Sequence, residues 1–216
     1  MTYSAAQLEQ AKRLGTATLH EAAGRTGALP SAIKPVSPDM RIAGPAFTVH
    51  VPPGDNLWIH HALYAAAPGD VLVVSTSGGY EWGYWGDILN TAAITQGLGG
   101  LIIDGGVRDG AALAEMPLPV FSRGICIRGT IKGYEARSWL RRPIQIGDVV
   151  IAHGDLVVGD RDGVVAIPAV IVPETLTAGE AREADEVAKI EKIKSGERTV
   201  DIYGFAERLA AQGKSA

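Results

Sequence analysis

Apolar and polar positions follow two rhythms along the chain, and together these rhythms predict a mixed α/β fold. Helical spacing covers residues 5–14 and the stretch GTATLHEAAGRTGALP, where we expect a second helix that begins at Thr16 or Thr18 and ends at Gly24 or Gly27. An extended run follows in RIAGPAFTVHVPPGD. The next stretch, NLWIHHALYAAAPGD, is typical of a helix, and GDVLVVST is typical of a buried strand.

The second half of the chain continues with strands and ends in helix. GDVVIAHGD predicts a strand, and GDLVVGDRDGVVAIP predicts a hairpin whose turn is formed by Asp160 and Asp162. Residues 173–193 have helical spacing, with apolar positions on one side and glutamates elsewhere. Since no low-complexity linker divides the chain, we expect one domain over residues 1–216. Its C-terminal helical extension, about residues 173–216, is expected to pack on a neighbouring subunit.

The segment GYWGDILNTAAITQGLGGLIIDGGVRDG, residues 83–110, carries charged groups at the edges of apolar elements. We expect a helix capped by Asp87 and ended by Gly97, then the strand GLIID, a glycine turn and a further helix. Polar residues that directly follow a strand lie at the carboxyl edge of an open α/β sheet, where ligands bind. The pattern therefore predicts that Asp104, Arg108 and Asp109 converge there.

Two interpretations of these charged residues are open. Asp87 and Asp109 could each serve only as a helix cap, with Arg108 as a surface counter-ion. Taken together, two carboxylates, an arginine and glycines that admit a ligand to the backbone favour a site for a hard cation and an anionic substrate. The glycines of GLGG precede the strand, whereas those of a dinucleotide-binding loop follow it, which excludes that motif.

Composition narrows the classes of function. The 216 residues are 46% apolar and 20% charged with a net charge of −4, as in a compact globular protein. Basic residues are scattered apart from Arg141 and Arg142, so we expect no nucleic-acid partner. No run is apolar enough to span a membrane, which favours the cytoplasm. The one cysteine, Cys126, is interpreted as a small buried apolar residue, the alternative being a reactive thiol.

The 83–110 segment resembles the class II pyruvate aldolases that cleave 4-hydroxy-4-methyl-2-oxoglutarate and 4-carboxy-4-hydroxy-2-oxoadipate. That family also contains the regulator of ribonuclease activity A. Its signature is Asp, twenty residues, Arg-Asp, which is met by Asp87, residues 88–107, Arg108 and Asp109. The blocks AGPAFTV and PGDVLVV before this segment, and GDLVVGDRDGVVAIP after it, also resemble family blocks and occur in family order. The regulatory branch lacks the aspartate after the arginine, so Asp109 favours the enzyme branch.

The resemblance implies an α-β-β-α sandwich of the swivelling β/β/α domain type, assembled as a homotrimer or homohexamer with active sites between subunits. It also implies a role for each matched residue. For the metal, it implies Asp109 as a direct ligand of Mg²⁺ or Mn²⁺, Asp87 as a ligand through water, and Glu183 or Glu186 of a neighbouring subunit around the ion. For the substrate, it implies Arg108 at the ketone oxygen and the developing enolate. The substrate carboxylate would be bound by the backbone of Gly86, Ile88 and Leu89. A helix N-terminus binds anions on physical grounds alone, because its first N–H groups are unpaired. For the two glutamates, plain solvated charges are the alternative.

The function implied is retro-aldol cleavage of a 4-hydroxy-2-oxo acid to pyruvate and a carbonyl compound, with oxaloacetate decarboxylation as a side activity through the same enolate. One alternative is a Schiff-base aldolase using Lys132, the one lysine in a plausibly semi-buried context. The other is a non-catalytic regulator that binds an RNA-processing enzyme through its surface.

Two further groups of residues have open roles. His60 and His61 are adjacent on a predicted helix and would face different directions, so a two-histidine metal site is not expected. Four aromatic residues precede Asp87 and could form either a subunit contact or a lid or specificity wall at the site; they are Tyr80, Trp82, Tyr84 and Trp85.

Overall fold

The computed structural model describes residues 3–135 and 137–213. The helices are α1 (Ala5–Ala22), α2 (Leu57–Ala65), α3 (Asp87–Thr95), α4 (Gly110–Glu115), α5 (Val172–Lys194), α6 (Thr199–Ile202) and α7 (Phe205–Ala211). The strands are β1 (Lys34–Pro35), β2 (Ile42–His50), β3 (Val71–Ser75), β4 (Gly100–Ile103), β5 (Gly106–Val107), β6 (Val120–Ser122), β7 (Gly124–Ile125), β8 (Trp139–Leu140), β9 (Ile144–Ile146), β10 (Val149–Ile151), β11 (Leu156–Asp160) and β12 (Gly163–Ile167).

An eight-stranded mixed sheet organises the chain. Its order is β1-β6-β4-β3-β2-β11-β12, with β8 paired to the end of β2. Strands β2, β3, β4 and β6 are parallel, whereas β1, β8, β11 and β12 run antiparallel to their neighbours. The carboxyl ends of the four parallel strands therefore meet at one edge, as the sequence predicts.

The parallel strands are buried on both faces, which explains their nearly continuous apolar sequence. In β3, Leu72 and Val74 pack in a cluster with α2 and α3, whereas Val71 and Val73 point into a second cluster with the β9–β10 hairpin. A third cluster joins α1 and the start of α5 to β11 and β12. These three apolar clusters cover the sheet and hold its carboxyl edge in place.

Helix α1 is interrupted at Gly15, whose φ of 76° lies in the left-handed region. Its second half begins at Thr16, as expected, but the residue that caps it comes from β11. Asp160 accepts hydrogen bonds from the Thr16 backbone N–H at 2.8 Å and from the Thr16 hydroxyl at 2.7 Å. Asp160 also accepts a hydrogen bond from the Asp162 N–H at 2.9 Å, as expected of a turn former. Its bonds to Thr16 give it a second, long-range role.

Helix α5 confirms the predicted C-terminal helix, but only its first turns are buried. Thr175, Leu176 and Gly179 pack against α1, where a side chain at Gly179 would meet Leu14 at 2.9 Å. Farther along, Val187 and Ile190 are about half exposed, although the pattern placed them on the same apolar side as Leu176. Packing of this extension on a neighbouring subunit stays a prediction.

The mixed α/β class is confirmed. The finer sandwich architecture of the swivelling type stays a prediction, because the described strands form one sheet of eight and two small sheets of two. No described helix combines the length and the apolarity that crossing a bilayer requires.

The cap between β11 and α1 yields a test of the fold. Asp160→Ala leaves the buried N–H and hydroxyl of Thr16 without an acceptor, and we expect the free energy of unfolding to fall by about 2–4 kcal/mol. The control is Asp162→Ala, since that exposed side chain accepts no hydrogen bond in the described residues, and it should change stability by less than about 0.5 kcal/mol. Urea unfolding measures both values. Equal effects of the two substitutions would contradict the capping role.

Candidate functional site

A cavity of about 240 Å³ opens at the carboxyl edge of the parallel strands. The start of α3, the loop before it and the turn after β4 supply most of its wall. The lining residues are Asn56, His60, Gly83, Tyr84, Trp85, Gly86, Asp87, Ile88, Leu89, Arg108, Gly129, Thr130 and Lys132. Five sequence-predicted site residues thus line one cavity: Gly86, Asp87, Ile88, Leu89 and Arg108. Asp109 is not among its lining residues and lies next to Arg108.

Backbone hydrogen bonds align the loop before α3 with the turn after β4. The Tyr84 N–H donates to the Gly106 carbonyl at 3.0 Å, and the Arg108 N–H donates to the Trp85 carbonyl at 2.8 Å. Glycines permit this approach, since a side chain at Gly106 would meet the Trp82 carbonyl at 2.8 Å. Both ends of the Asp–x20–Arg-Asp pattern are thereby brought side by side.

The N-terminus of α3 differs from the expectation in one detail. Gly86, and not Asp87, is the N-cap residue, because Asp87 is already helical. The Asp87 N–H faces Asp109 Oδ2 at 3.4 Å, and the Ile88 N–H donates to Asp87 Oδ1 at 2.7 Å. The Leu89 N–H has no acceptor among residues 3–135 and 137–213. A substrate carboxylate would thus meet one free N–H at Leu89 and a second at Ile88 once the Asp87 side chain rotates.

Arg108 and Asp109 lie between β5 and α4, where the backbone turns sharply. Asp109 has a φ of 58° and precedes α4 without a side-chain capping bond, so it is not a simple cap. Arg108 Nε lies 3.5 Å from Asp109 Oδ2, and both side chains are partly exposed. The two groups are therefore close together while keeping faces open to a ligand.

Gly86 sets how closely this pair approaches α3. A Cβ at Gly86 would lie 2.2 Å from Asp109 Oδ2 and 3.1 Å from Arg108 Cγ. The backbone there is extended, with a φ of −151°, so conformation does not require glycine. Glycine is required here for space, because any side chain at Gly86 would displace the Asp109 carboxylate.

The aromatic residues before Asp87 divide into two pairs. Tyr84 and Trp85 are fully buried: the Tyr84 hydroxyl donates to the Gly79 carbonyl and accepts from the Gly54 N–H, both at 2.8 Å. Tyr80 lies under the Arg123 guanidinium at 3.8 Å, and Trp82 faces Arg128 at 5.0 Å, both outside the cavity lining. Tyr84 and Trp85 form a wall of the cavity, and neither pair forms a lid over it in this chain.

Asp104 does not join the site. It is 4% exposed and forms an ion pair with Arg123 at 2.6 Å, so it serves the core beneath the site and not the ligand. Cys126 is likewise corrected: it is partly exposed and not fully buried, because the short strand β7 leaves it at the surface end of the turn.

The cavity lining also includes Asn56, His60 and Lys132. Asn56, which sequence reasoning missed, is 5% exposed; its side-chain N–H donates to the Tyr84 carbonyl at 2.9 Å, and its Oδ1 is without a described partner. Its signal was the short polar run GDN between strand and helix. His60 lines the cavity and His61 does not, as expected for neighbours on a helix. Burial, and secondarily the Lys132 charge, lower the pKa of His60.

Lys132 is exposed, although it also lines the cavity. The semi-buried context expected for a Schiff-base lysine is therefore absent in this chain.

The two candidate glutamates of α5 form ion pairs within the chain. Glu183 pairs with Arg13 of α1, and Glu186 pairs with Arg182 at 3.0 Å. Among the residues that the structure describes, no three histidine, cysteine, aspartate or glutamate side chains form a metal-binding cluster. Asp87 and Asp109 nevertheless supply hard oxygen donors beside the space kept by Gly86. That set fits Mg²⁺ or Mn²⁺, which keep several waters and need few protein ligands.

Comparison with known proteins places this geometry in context. The model of the RraA-like family, described as Aldolase/RraA, matches residues 16–166. A relative from Halalkalibacterium halodurans, provisionally named a 4-hydroxy-4-methyl-2-oxoglutarate aldolase, is 34% identical over 196 residues, 91% of this chain and 92% of its own length.

Two solved structures are similar over most of the chain. One, an uncharacterized protein from Pseudomonas syringae pv. tomato, is 31% identical with a TM-score of 0.77 and covers 92% of this chain and 96% of that one. The RNA-processing inhibitor RraA from Thermus thermophilis is 25% identical with a TM-score of 0.64, covering 71% of this chain and 92% of that one. On the matched segment, the sequence similarity and the shared fold, the chain belongs to the Aldolase/RraA family.

Proposed function

We propose that the chain is a divalent-metal-dependent lyase that cleaves a 4-hydroxy-2-oxo acid to pyruvate and a carbonyl compound. The observation that carries the proposal is that Asp87 and Arg108 line one cavity beside a helix N-terminus, with Asp109 in contact with Arg108 and facing the Asp87 N–H. The name of the Halalkalibacterium halodurans relative supports the same reaction class.

Substrate orientation follows from the charges around the cavity. A 2-oxo acid presents a carboxylate next to a ketone oxygen. The N–H groups at the start of α3 suit the carboxylate, because they carry the positive end of the helix dipole. The ketone oxygen then lies toward Arg108, whose guanidinium lines the same cavity.

Arg108 supplies the main stabilisation that this chain offers to the reaction. Breaking the bond between C3 and C4 leaves an electron pair on the pyruvate fragment as an enolate, whose negative charge collects on the ketone oxygen. A guanidinium held in place beforehand lowers this barrier more than it strengthens substrate binding, because the charge grows in the transition state. Decarboxylation of oxaloacetate produces the same enolate and should be catalysed by the same group.

Asp109 would hold a divalent cation directly and Asp87 would hold it through water. A cation held there would supply Lewis-acid stabilisation at the ketone and would lower the pKa of a nearby water, whose hydroxide form would be the base for the substrate hydroxyl proton. Asp87 is exposed at the cavity and is free to orient such a water. Gly86 keeps the space in which the Asp109 carboxylate approaches the start of α3.

We further propose that the site is completed by a second subunit in a trimer or hexamer. The described chain offers two carboxylates and no third ligand, and α5 to α7 expose apolar residues that a partner would cover. These are Val187, Ile190, Ile193, Tyr203, Phe205 and Leu209. Glu183 or Glu186 of the adjacent subunit would then bind the metal, after leaving its ion pair with Arg13 or Arg182.

The family also contains regulators of RNA processing, which need no reaction centre. For this chain that alternative has no supporting feature at the cavity, whereas the Arg108-Asp109 pair serves no evident purpose in a surface regulator. Pyruvate production separates the two functions.

Oxaloacetate decarboxylation is the first test of the proposed function. With Mg²⁺ or Mn²⁺ we expect pyruvate release, which EDTA abolishes and added metal restores, while the circular dichroism spectrum stays unchanged. Because free Mg²⁺ itself promotes the reaction, Asp109→Asn protein at the same metal concentration gives the background. Turnover that survives exhaustive chelation would contradict the metal dependence. A borohydride-trapped pyruvate adduct at Lys132 would favour the Schiff-base alternative.

Gly86→Ala tests the close approach of Asp109 to α3. Its Cβ must displace the carboxylate, and misplacing a catalytic group by about 1 Å costs roughly 100-fold in kcat/KM. The control is Gly129→Ala. Gly129 lines the same cavity, but a Cβ there meets no atom within 4 Å, so this substitution should change kcat/KM by less than about twofold. Equal activity of both variants would show that the spacing at Gly86 is not required.

A further inference from the structure

We propose that a second cavity of this chain binds a ligand that combines a planar ring with at least two negative charges. The cavity has a volume of about 670 Å³, which suits a small organic molecule, and lies between α2 and residues 137–142. No residue that lines it also lines the cavity at α3. The proposal is independent of the aldolase reaction.

The charge of this cavity is entirely positive. Arg137, Arg141 and Arg142 line it, and none of the described aspartates or glutamates does. In the described part of the chain these three arginines form no ion pair, whereas six others pair with carboxylates: Arg13, Arg25, Arg108, Arg123, Arg182 and Arg198. Neighbouring cations without a counter-charge repel each other, so an anion with two or more charges would relieve the repulsion. Guanidinium groups also bind carboxylates and phosphates through two parallel hydrogen bonds.

The backbone holds one of these arginines in an unfavourable conformation. Arg141 has a φ of 58°, in the left-handed region that residues with a Cβ rarely adopt. Its N–H donates to the Thr48 carbonyl at 2.9 Å, and its guanidinium donates to the Ala65 carbonyl at the end of α2. Tertiary contacts thus fix a strained residue at the cavity, and backbone strain of this kind is enriched at binding sites.

Aromatic side chains supply a surface for a planar ring. Trp58 lies edge to face with His61, their ring centroids 5.4 Å apart, and both line the cavity. Trp139 lines it as well and is held by stacking on His50, with ring centroids 3.5 Å apart. An indole that is already fixed can stack on a ligand ring with little loss of side-chain entropy.

The same segment contains polar groups that the described chain leaves unpaired. Ser138 Oγ and Trp139 Nε1 are buried without a hydrogen-bond partner. Such groups are costly, and a ligand acceptor that reaches them would remove this cost.

Two sources share the required chemistry: nucleotides and aromatic polycarboxylates. Isothermal titration calorimetry of the whole protein, without divalent metal, would compare AMP and benzene-1,3,5-tricarboxylate with citrate, which has comparable charge but no ring. We expect saturable binding of at least one ring-bearing probe, about tenfold or more tighter than citrate because stacking adds to charge. The tighter of the two ring-bearing probes identifies the source.

Variants connect the binding to this cavity. Arg137→Gln and Arg142→Gln should each weaken the tighter probe by about tenfold or more, the loss of one charge-assisted contact. Arg161→Gln is the matched control, since Arg161 is exposed, has no ion pair in the described chain and lies on the turn between β11 and β12. Both cavity arginines are exposed, so the melting temperature should stay constant.

Three results would overturn the proposal. The first is no saturable binding of either ring-bearing probe at millimolar concentration. The second is equal binding of citrate, or equal weakening by Arg161→Gln, which would indicate a general counter-ion effect. The third is an absence of binding together with a change in oligomeric mass in Arg137→Gln or Arg142→Gln, which would assign the cavity to a contact between copies of this chain.

Discussion

The candidate site depends on two chain segments lying in direct backbone contact. The loop before α3 runs beside the turn after β4 through the hydrogen bonds of Tyr84 to Gly106 and of Arg108 to Trp85. A side chain at Gly83 would lie 2.4 Å from the Cys126 carbonyl, so no other residue fits there without displacement. This contact converts a spacing of twenty residues in sequence into a shared cavity. Without it, Asp87 and Asp109 would be unrelated helix-end residues.

Buried polar groups hold this contact in register. The Tyr84 hydroxyl and the Asn56 amide fix the loop from below, and the Trp85 indole donates to Asn90 Oδ1 at 2.9 Å inside α3. Hydrogen bonds in a low-dielectric interior rigidify the segments that they join, because each broken bond leaves a costly unpaired group. Rigidity of this kind is what a site needs when it must present a guanidinium and a helix N-terminus to a small oxo acid.

The sequence predicted the elements around the site well, because their signals are local. Alternation located β2, continuous apolar runs located β3 and β4, and Gly97 ended α3 as expected, with a φ of 71°. The sequence did not predict Asp160 as the cap of α1, or Asp104 as the partner of Arg123, because both contacts join distant segments. It also did not reveal Asn56, whose burial depends on the position of Tyr84. Local patterns specify elements, whereas the partner of a charged residue is decided only when the elements pack.

Enolate formation is the step that the proposed roles of Arg108, Asp109 and the α3 N-terminus have in common. Exchange of the pyruvate methyl protons with D₂O, followed by proton NMR in the presence of Mg²⁺, measures that step without an aldol substrate. We expect metal-dependent exchange that falls by roughly 100-fold or more in Arg108→Lys, the usual effect of losing one donor to a developing oxyanion. Arg128→Lys, whose side chain lies at Trp82 outside the cavity lining, should exchange at the wild-type rate. Exchange in Arg108→Lys at the rate of the Arg128→Lys control would contradict the account.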